Sequence, residues 1–239
     1  PFLSRRAVEE CSGLHCGALR RCSLRNHARL LALVLPFFLV ACESAPHTLP
    51  VMDWAIAIHG GAGVLSRNTP PAKVAEYEAA LRKALELGRD RLLRGDRALD
   101  VCEAVVRVLE DDEHFNAGKG AVFNEKGEHE LDASIMEGRT LRCGAVASLR
   151  TVKNPVSLAR LVMERTPHVL LAGDGAEQFA TSVGVERVPN MWFDTEHRRK
   201  ILEEVLQERA RTGALDAVRR DATYGTVGCV VRDRHGDLD

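Results

Sequence analysis

Tyr224-Gly225-Thr226-Val227-Gly228-Cys229-Val230-Val231 stands near the end of this 239-residue chain. Its β-branched run reads as a strand opening at Thr226, preceded by a loop that contains Arg219, Arg220 and Asp221. A threonine hydroxyl is a weak nucleophile unless a base lies beside it. Its own α-amine can serve, but only if the chain is cut immediately before it. Gly225 suits the position before such a cut, because it has no side chain to obstruct attack on its carbonyl and tolerates strained backbone. Taken alone, Gly-Thr-Val-Gly also opens ordinary strands, so the chemistry depends on what lies upstream.

Working back from this stretch, residues 211–221 form a charged connector of the kind that tolerates cleavage. Before it, Asp194 or Thr195 caps an amphipathic helix that carries Ile201, Leu202, Val205 and Leu206. Residues 168–172 read as a strand, Gly173 and Gly175 as a turn, and 176–180 as a short helix. Asn154 as the cap and Pro155 in the first turn open a helix with Leu158, Leu161 and Val162, which must end before Pro167. Residues 130–136 and 142–149 read as adjacent strands joined by a hairpin at Gly138.

Residues 109–124 form a polar, glycine-rich loop, long enough to suggest a function. Two amphipathic helices precede it. One carries Val74, Tyr77, Leu81, Ala84 and Leu85; the other carries Ala98, Val101, Cys102, Val105, Val108 and Leu109. A buried strand over 54–58 feeds the turn His59-Gly60-Gly61-Ala62-Gly63, which can offer backbone N–H groups to an anion. It lacks the lysine and spacing of a P-loop. No internal repeat is evident, and the elements alternate as in an α/β protein.

The first 28 residues are assigned no fold. Residues 29–42 read as a lipoprotein-type signal: an apolar run over 30–41, too short to span a bilayer, follows Arg21, Arg25 and Arg29 and closes on Cys42. Cys42 is then the lipidation site, residues 43–53 are a linker, and the location is the bacterial periplasm or envelope. Translation from Met52 would instead give a cytoplasmic protein. The net charge of -1 and the 5% aromatic content give no basis for a nucleic-acid partner. Seven cysteines without Cys-x-x-Cys spacing argue against zinc, and Cys102, Cys143 and Cys229 read as buried free thiols.

Three segments stand together: 58–63 as I-H-G-G-A-G, 115–123 as F-N-A-G-K-G-A-V-F with 130–138 as E-L-D-A-S-I-M-E-G, and 225–228 as G-T-V-G. They resemble the isoaspartyl peptidase and L-asparaginase family of N-terminal nucleophile hydrolases, the plant-type asparaginases. Residues 154–162 and 167–180 extend the likeness, which runs from about Trp54 to Asp239.

The resemblance implies a four-layer α/β/β/α sandwich, incomplete at the C-terminus, with 54–225 as the α-subunit region and 226–239 as the start of the β subunit. It implies Thr226 as nucleophile, autoproteolysis between Gly225 and Thr226, and an active-site network of His59, Gly60, Gly61 and Asn116. No cofactor is required, but a structural sodium ion is expected on the backbone carbonyls of Leu109, Glu110, Asp112, Phe115, Ala117 and Lys119. The implied substrates are β-aspartyl dipeptides or asparagine, and the implied assembly is a dimer of α/β heterodimers. The family continues into a threonine-rich stretch with an arginine and an aspartate that hold the substrate, so the 239-residue chain alone is expected to be inactive. Glycosylasparaginase is the alternative enzyme, although it usually has aspartate before the threonine and lacks this glycine loop. A non-catalytic envelope lipoprotein is the alternative outside enzymes.

Overall fold

The computed structural model describes residues 53–61, 68–213 and 225–239. The expected leader, Cys42, Ala62, Gly63 and most of the connector before Gly225 lie outside them. Strand β1 (Ala55–His59) is followed by helices α1 (Pro71–Arg94) and α2 (Ala98–Glu110). Pro71 stands where an N–H would have no intrahelical partner, and Gly95 closes α1 in the left-handed conformation with its N–H donated to the Leu92 carbonyl. Then come β2 (Leu131–Glu137), β3 (Arg142–Leu149), α3 (Pro155–Arg165), β4 (Leu170–Ala172), α4 (Gly173–Val183), α5 (Glu196–Thr212) and β5 (Gly228–Arg232).

Among these residues the strands form two sheets. β1 pairs antiparallel with β5, and β3 lies between β2, antiparallel, and β4, parallel. Each sheet has its own core. Val101, Cys102, Val105 and Leu109 of α2 pack with Ala84 and Leu92 of α1 against Val231 of β5. Leu158, Ala159 and Val162 of α3 pack with Ile135 and Val146. Helix α3 lies so close to β3 that a Cβ at Gly144 would stand 2.1 Å from the Ala159 carbonyl oxygen. A fully buried Val or Leu contributes about 1.5–3 kcal/mol, so α5, with no fully buried residue, is the least anchored helix.

Four details differ from expectation. Strand β5 begins at Gly228 rather than Thr226, because its partner β1 ends at His59 and no rung remains for the two residues before Gly228. Helix α4 starts at Gly173 and absorbs the expected glycine turn, with Asp174 favourably placed in its first turn. Asn154 makes no side-chain cap for α3; the Val156 N–H is accepted instead by the Glu110 carboxyl at 2.9 Å. Of the three thiols, only Cys102 is fully buried, while Cys143 and Cys229 are half-buried. Thr195, one of the two candidates, is the α5 cap, accepting the Arg198 N–H at 3.2 Å.

Candidate active site

Pairing of β1 with β5 brings the glycine turn against the residues that precede β5. His59 is opposite Gly228, and its ring fills the space above that glycine: a Cβ there would lie 2.1 Å from Nε2. The Gly61 N–H donates to His59 Nδ1 at 3.3 Å. Gly61 itself has φ +117°, and a Cβ on it would stand 2.8 Å from the Thr226 carbonyl oxygen and 3.1 Å from the Thr226 nitrogen. Only glycine fits between the turn and the Gly225–Thr226 backbone. Gly60 is similarly closed in by the Phe115 ring, 2.6 Å from where its Cβ would be.

Asn116 completes the constellation from the 109–124 loop. Its Nδ2 donates to the Gly225 carbonyl oxygen at 2.6 Å, and its Oδ1 accepts the Val122 N–H at 2.8 Å. The second bond fixes which way the amide faces, because only the oxygen can accept from a backbone N–H. Gly225 passes so close to Asn116 that a Cβ would meet the asparagine Cβ at 2.6 Å. Among the described residues, the Thr226 hydroxyl makes a long contact, 3.5 Å, to the Val227 carbonyl. A donor fixed on a carbonyl oxygen stabilises the negative charge that grows there when a nucleophile adds to the carbon.

Thr226 and Asn116 open on a cavity of about 1010 Å³ whose walls include Asp132 and Ser134 of β2, Cys143 of β3 and Glu110 of α2. Glu110 is only 3% exposed. Burial pushes its carboxyl up to about 8, a rise that the Val156 N–H and the nearby Asn154 amide only partly oppose. It is therefore mainly a neutral acid at pH 7, and its Oε2 has no hydrogen-bond partner among the described residues.

The loop expected to hold sodium folds tightly on itself. Leu109 and Glu110 end α2, Asp112 accepts the His114 N–H, Phe115 is buried, and Ala117 and Lys119 flank and enter a 3₁₀ turn over Gly118–Gly120. The Lys119 ammonium turns aside onto the Trp192 ring, 5.5 Å from its centroid. The backbone packs closely at the turn: a Cβ at Gly118 would be 2.2 Å from the Glu110 carbonyl oxygen, and one at Gly120 would be 2.1 Å from that of Phe115. Among the described residues, no group of three or more His, Cys, Asp or Glu side chains is placed to hold a metal.

Three contributors were missed by sequence reasoning. Glu110 as the cap of α3 and buried Asp233 as the acceptor of the Ala98 N–H act across 46 and 135 residues, whereas the Val122 N–H anchors Asn116 from six residues away within the same loop. Asp233 accepts N–H bonds from Ala98, His235 and Asp237. Burial opposes its ionisation, yet these bonds and Arg97 hold its carboxyl below the usual carboxylate range. Only the local bonds of Asp233 to the His235 and Asp237 N–H groups follow a short-range pattern, that of an aspartate-centred turn.

The α/β scaffold thus holds a fixed amide donor on the carbonyl of a Gly–Thr peptide bond. Residues 52–239 match the asparaginase family, and the chain belongs to it. It is 47% identical over 192 residues to the isoaspartyl peptidase of Salmonella typhimurium, an alignment covering 77% of this chain and 59% of that protein. It is 50% identical over 143 residues to the probable isoaspartyl peptidase/L-asparaginase 2 of Arabidopsis thaliana, covering 60% and 44% respectively. With the isoaspartyl peptidase/L-asparaginase of Xenopus laevis it shares 43% identity over 187 residues, covering 78% and 58%. The chain thus spans less than two thirds of the length of these relatives.

Proposed function

We propose that the protein carrying this chain is a threonine-nucleophile amidohydrolase that cuts itself between Gly225 and Thr226. It then releases L-aspartate from isoaspartyl dipeptides or hydrolyses L-asparagine to aspartate and ammonia. The observation that carries this reading is the Asn116 amide, 2.6 Å from the oxygen of the carbonyl to be attacked. The relatives, an isoaspartyl peptidase and an isoaspartyl peptidase/L-asparaginase, support the hydrolytic part of this reading.

In the first stage the Thr226 hydroxyl adds to the Gly225 carbonyl carbon, and Asn116 stabilises the oxyanion. The C–N bond then breaks, the amine takes up a proton, and an ester joins Gly225 to the Thr226 side chain. Water hydrolyses that ester, leaving a Gly225 carboxylate and a free Thr226 amine. In the second stage the amine accepts the hydroxyl proton as Thr226 attacks the substrate's side-chain carbonyl. Ammonia or the dipeptide's second residue leaves, and water releases aspartate from the acyl-enzyme.

No cofactor takes part in these steps. A sodium ion on the 109–119 carbonyls would steady the loop that carries Asn116. Lipid attachment at Cys42 and a dimer of cleaved heterodimers belong to the same proposal. The test compares ammonia release and β-aspartyl dipeptide cleavage by the protein and by its Thr226→Ala variant. Loss of both activities in the variant is expected; activity that survives without the hydroxyl would overturn the reading.

A further inference from the structure

Cys102 of α2 and Cys229 of β5 are neighbours across the interface between these elements. Cys102 Sγ lies 3.3 Å from the Cys229 carbonyl oxygen. Along β5, Cys229 is on the same side as Val231, which is buried against α2, while Val230 between them is 54% exposed on the other side. Both cysteines also border the large cavity that holds Thr226, which gives a small oxidant a route toward them. They stand on opposite sides of the Gly225–Thr226 bond in sequence, and Cys229 is the third residue after Thr226.

We propose that Cys102 and Cys229 form an oxidisable dithiol whose disulfide clasps α2 to β5 and, once the chain has cut itself, joins the two pieces covalently. The clasp across the cut rests on the self-cleavage proposed above; the dithiol does not. The oxidant is a peroxide. The Cys102 thiolate attacks a peroxide oxygen, the O–O bond breaks, and a sulfenic acid and hydroxide form. Cys229 sulfur then attacks the sulfenic sulfur, its S–O bond breaks, and water leaves. Two thiols are oxidised to one disulfide, and one peroxide is reduced to two waters. The roles follow from the environment: the Cys229 side chain holds the Cys102 thiol below the ordinary thiol range, while Cys102 and burial push the Cys229 thiol up. The thiolate is the attacking form, which places the first step on Cys102.

The experiment treats the full chain with hydrogen peroxide, blocks remaining thiols, and maps non-reduced peptides by mass spectrometry. A cross-link between the peptides of Cys102 and Cys229 is expected. It should disappear on reduction and in Cys102→Ser, and persist in Cys143→Ser, which guards against a folding defect in the first variant. On gels of protein that has cut itself, the two pieces should run together without reductant and apart with it. A single band under both conditions with the cross-linked peptide present supports the dithiol and contradicts the self-cleavage. Quantitative alkylation of Cys102 and Cys229 after peroxide, or pairing of either with another cysteine, would overturn the proposal.

Discussion

Replacing Asn116 with aspartate separates the two jobs of that side chain. Aspartate keeps an oxygen to accept the Val122 N–H, now at 2.8 Å, so the loop retains its anchor. It loses the N–H that reaches the Gly225 carbonyl at 2.6 Å and sets a carboxylate against an oxygen about to become negative. Removal of one preorganised donor of this kind costs about a hundredfold to a thousandfold in rate, or about 2.7–4 kcal/mol. Added repulsion places Asn116→Asp at the slow end of that range. Asn116→Ala should fall within it, with a further loss of about 1 kcal/mol in stability from the freed Val122 N–H. The assay follows disappearance of the intact chain on denaturing gels after dilution from denaturant, and urea melts of the uncut variants check folding. Cleavage of a folded Asn116→Asp variant within about threefold of the parent rate, less than 1 kcal/mol of barrier, would refute the assignment of Asn116 to the scissile carbonyl.

Gly61→Ala puts a Cβ 2.8 Å from the Thr226 carbonyl oxygen at a φ that alanine resists, so stability should fall by about 1–3 kcal/mol and cleavage should slow. Denaturant midpoints and gel time courses read the two effects. Asp233→Asn leaves a single oxygen for three N–H donors and should cost about 1–3 kcal/mol at neutral pH. Because the folded carboxyl of Asp233 titrates below its unfolded value, its contribution is present above the ordinary carboxylate range and is lost as pH falls through the depressed value. The gap between parent and variant in urea melts should therefore narrow on acidification. Glu110→Gln preserves an acceptor for the Val156 N–H and replaces an acid already neutral at pH 7, so it should be tolerated; Glu110→Ala should lose about 1–2 kcal/mol as the α3 cap goes.

Local patterns made most of the elements legible. Apolar spacing placed α2, and the alternation over 130–136 and 142–149 placed a hairpin that forms as β2 and β3. Thr195 was readable as a cap because its partner, Arg198, is three residues away. Asn154 was misread as a side-chain cap by the same logic, since the group that caps α3 is Glu110, 46 residues earlier. Start of the last strand depended on where β1 ends, which the composition of residues 225–231 does not contain. Motif likeness brought Asn116, His59 and Thr226 into one site, but the 109-residue separation between Asn116 and Gly225 gave no sign of which atom meets which. The Cys102–Cys229 contact was equally invisible, because each cysteine reads locally as an apolar core residue.

Self-cleavage at one defined bond is the centre of the proposed function, and the intact mass and N-terminal sequence of the downstream piece test it most directly. The account predicts a new terminus reading Thr-Val-Gly-Cys from Thr226, with an upstream piece ending at Gly225, and no such piece from Thr226→Ala. A protein that hydrolyses substrate while remaining uncut, or a terminus at any residue other than Thr226, would contradict it.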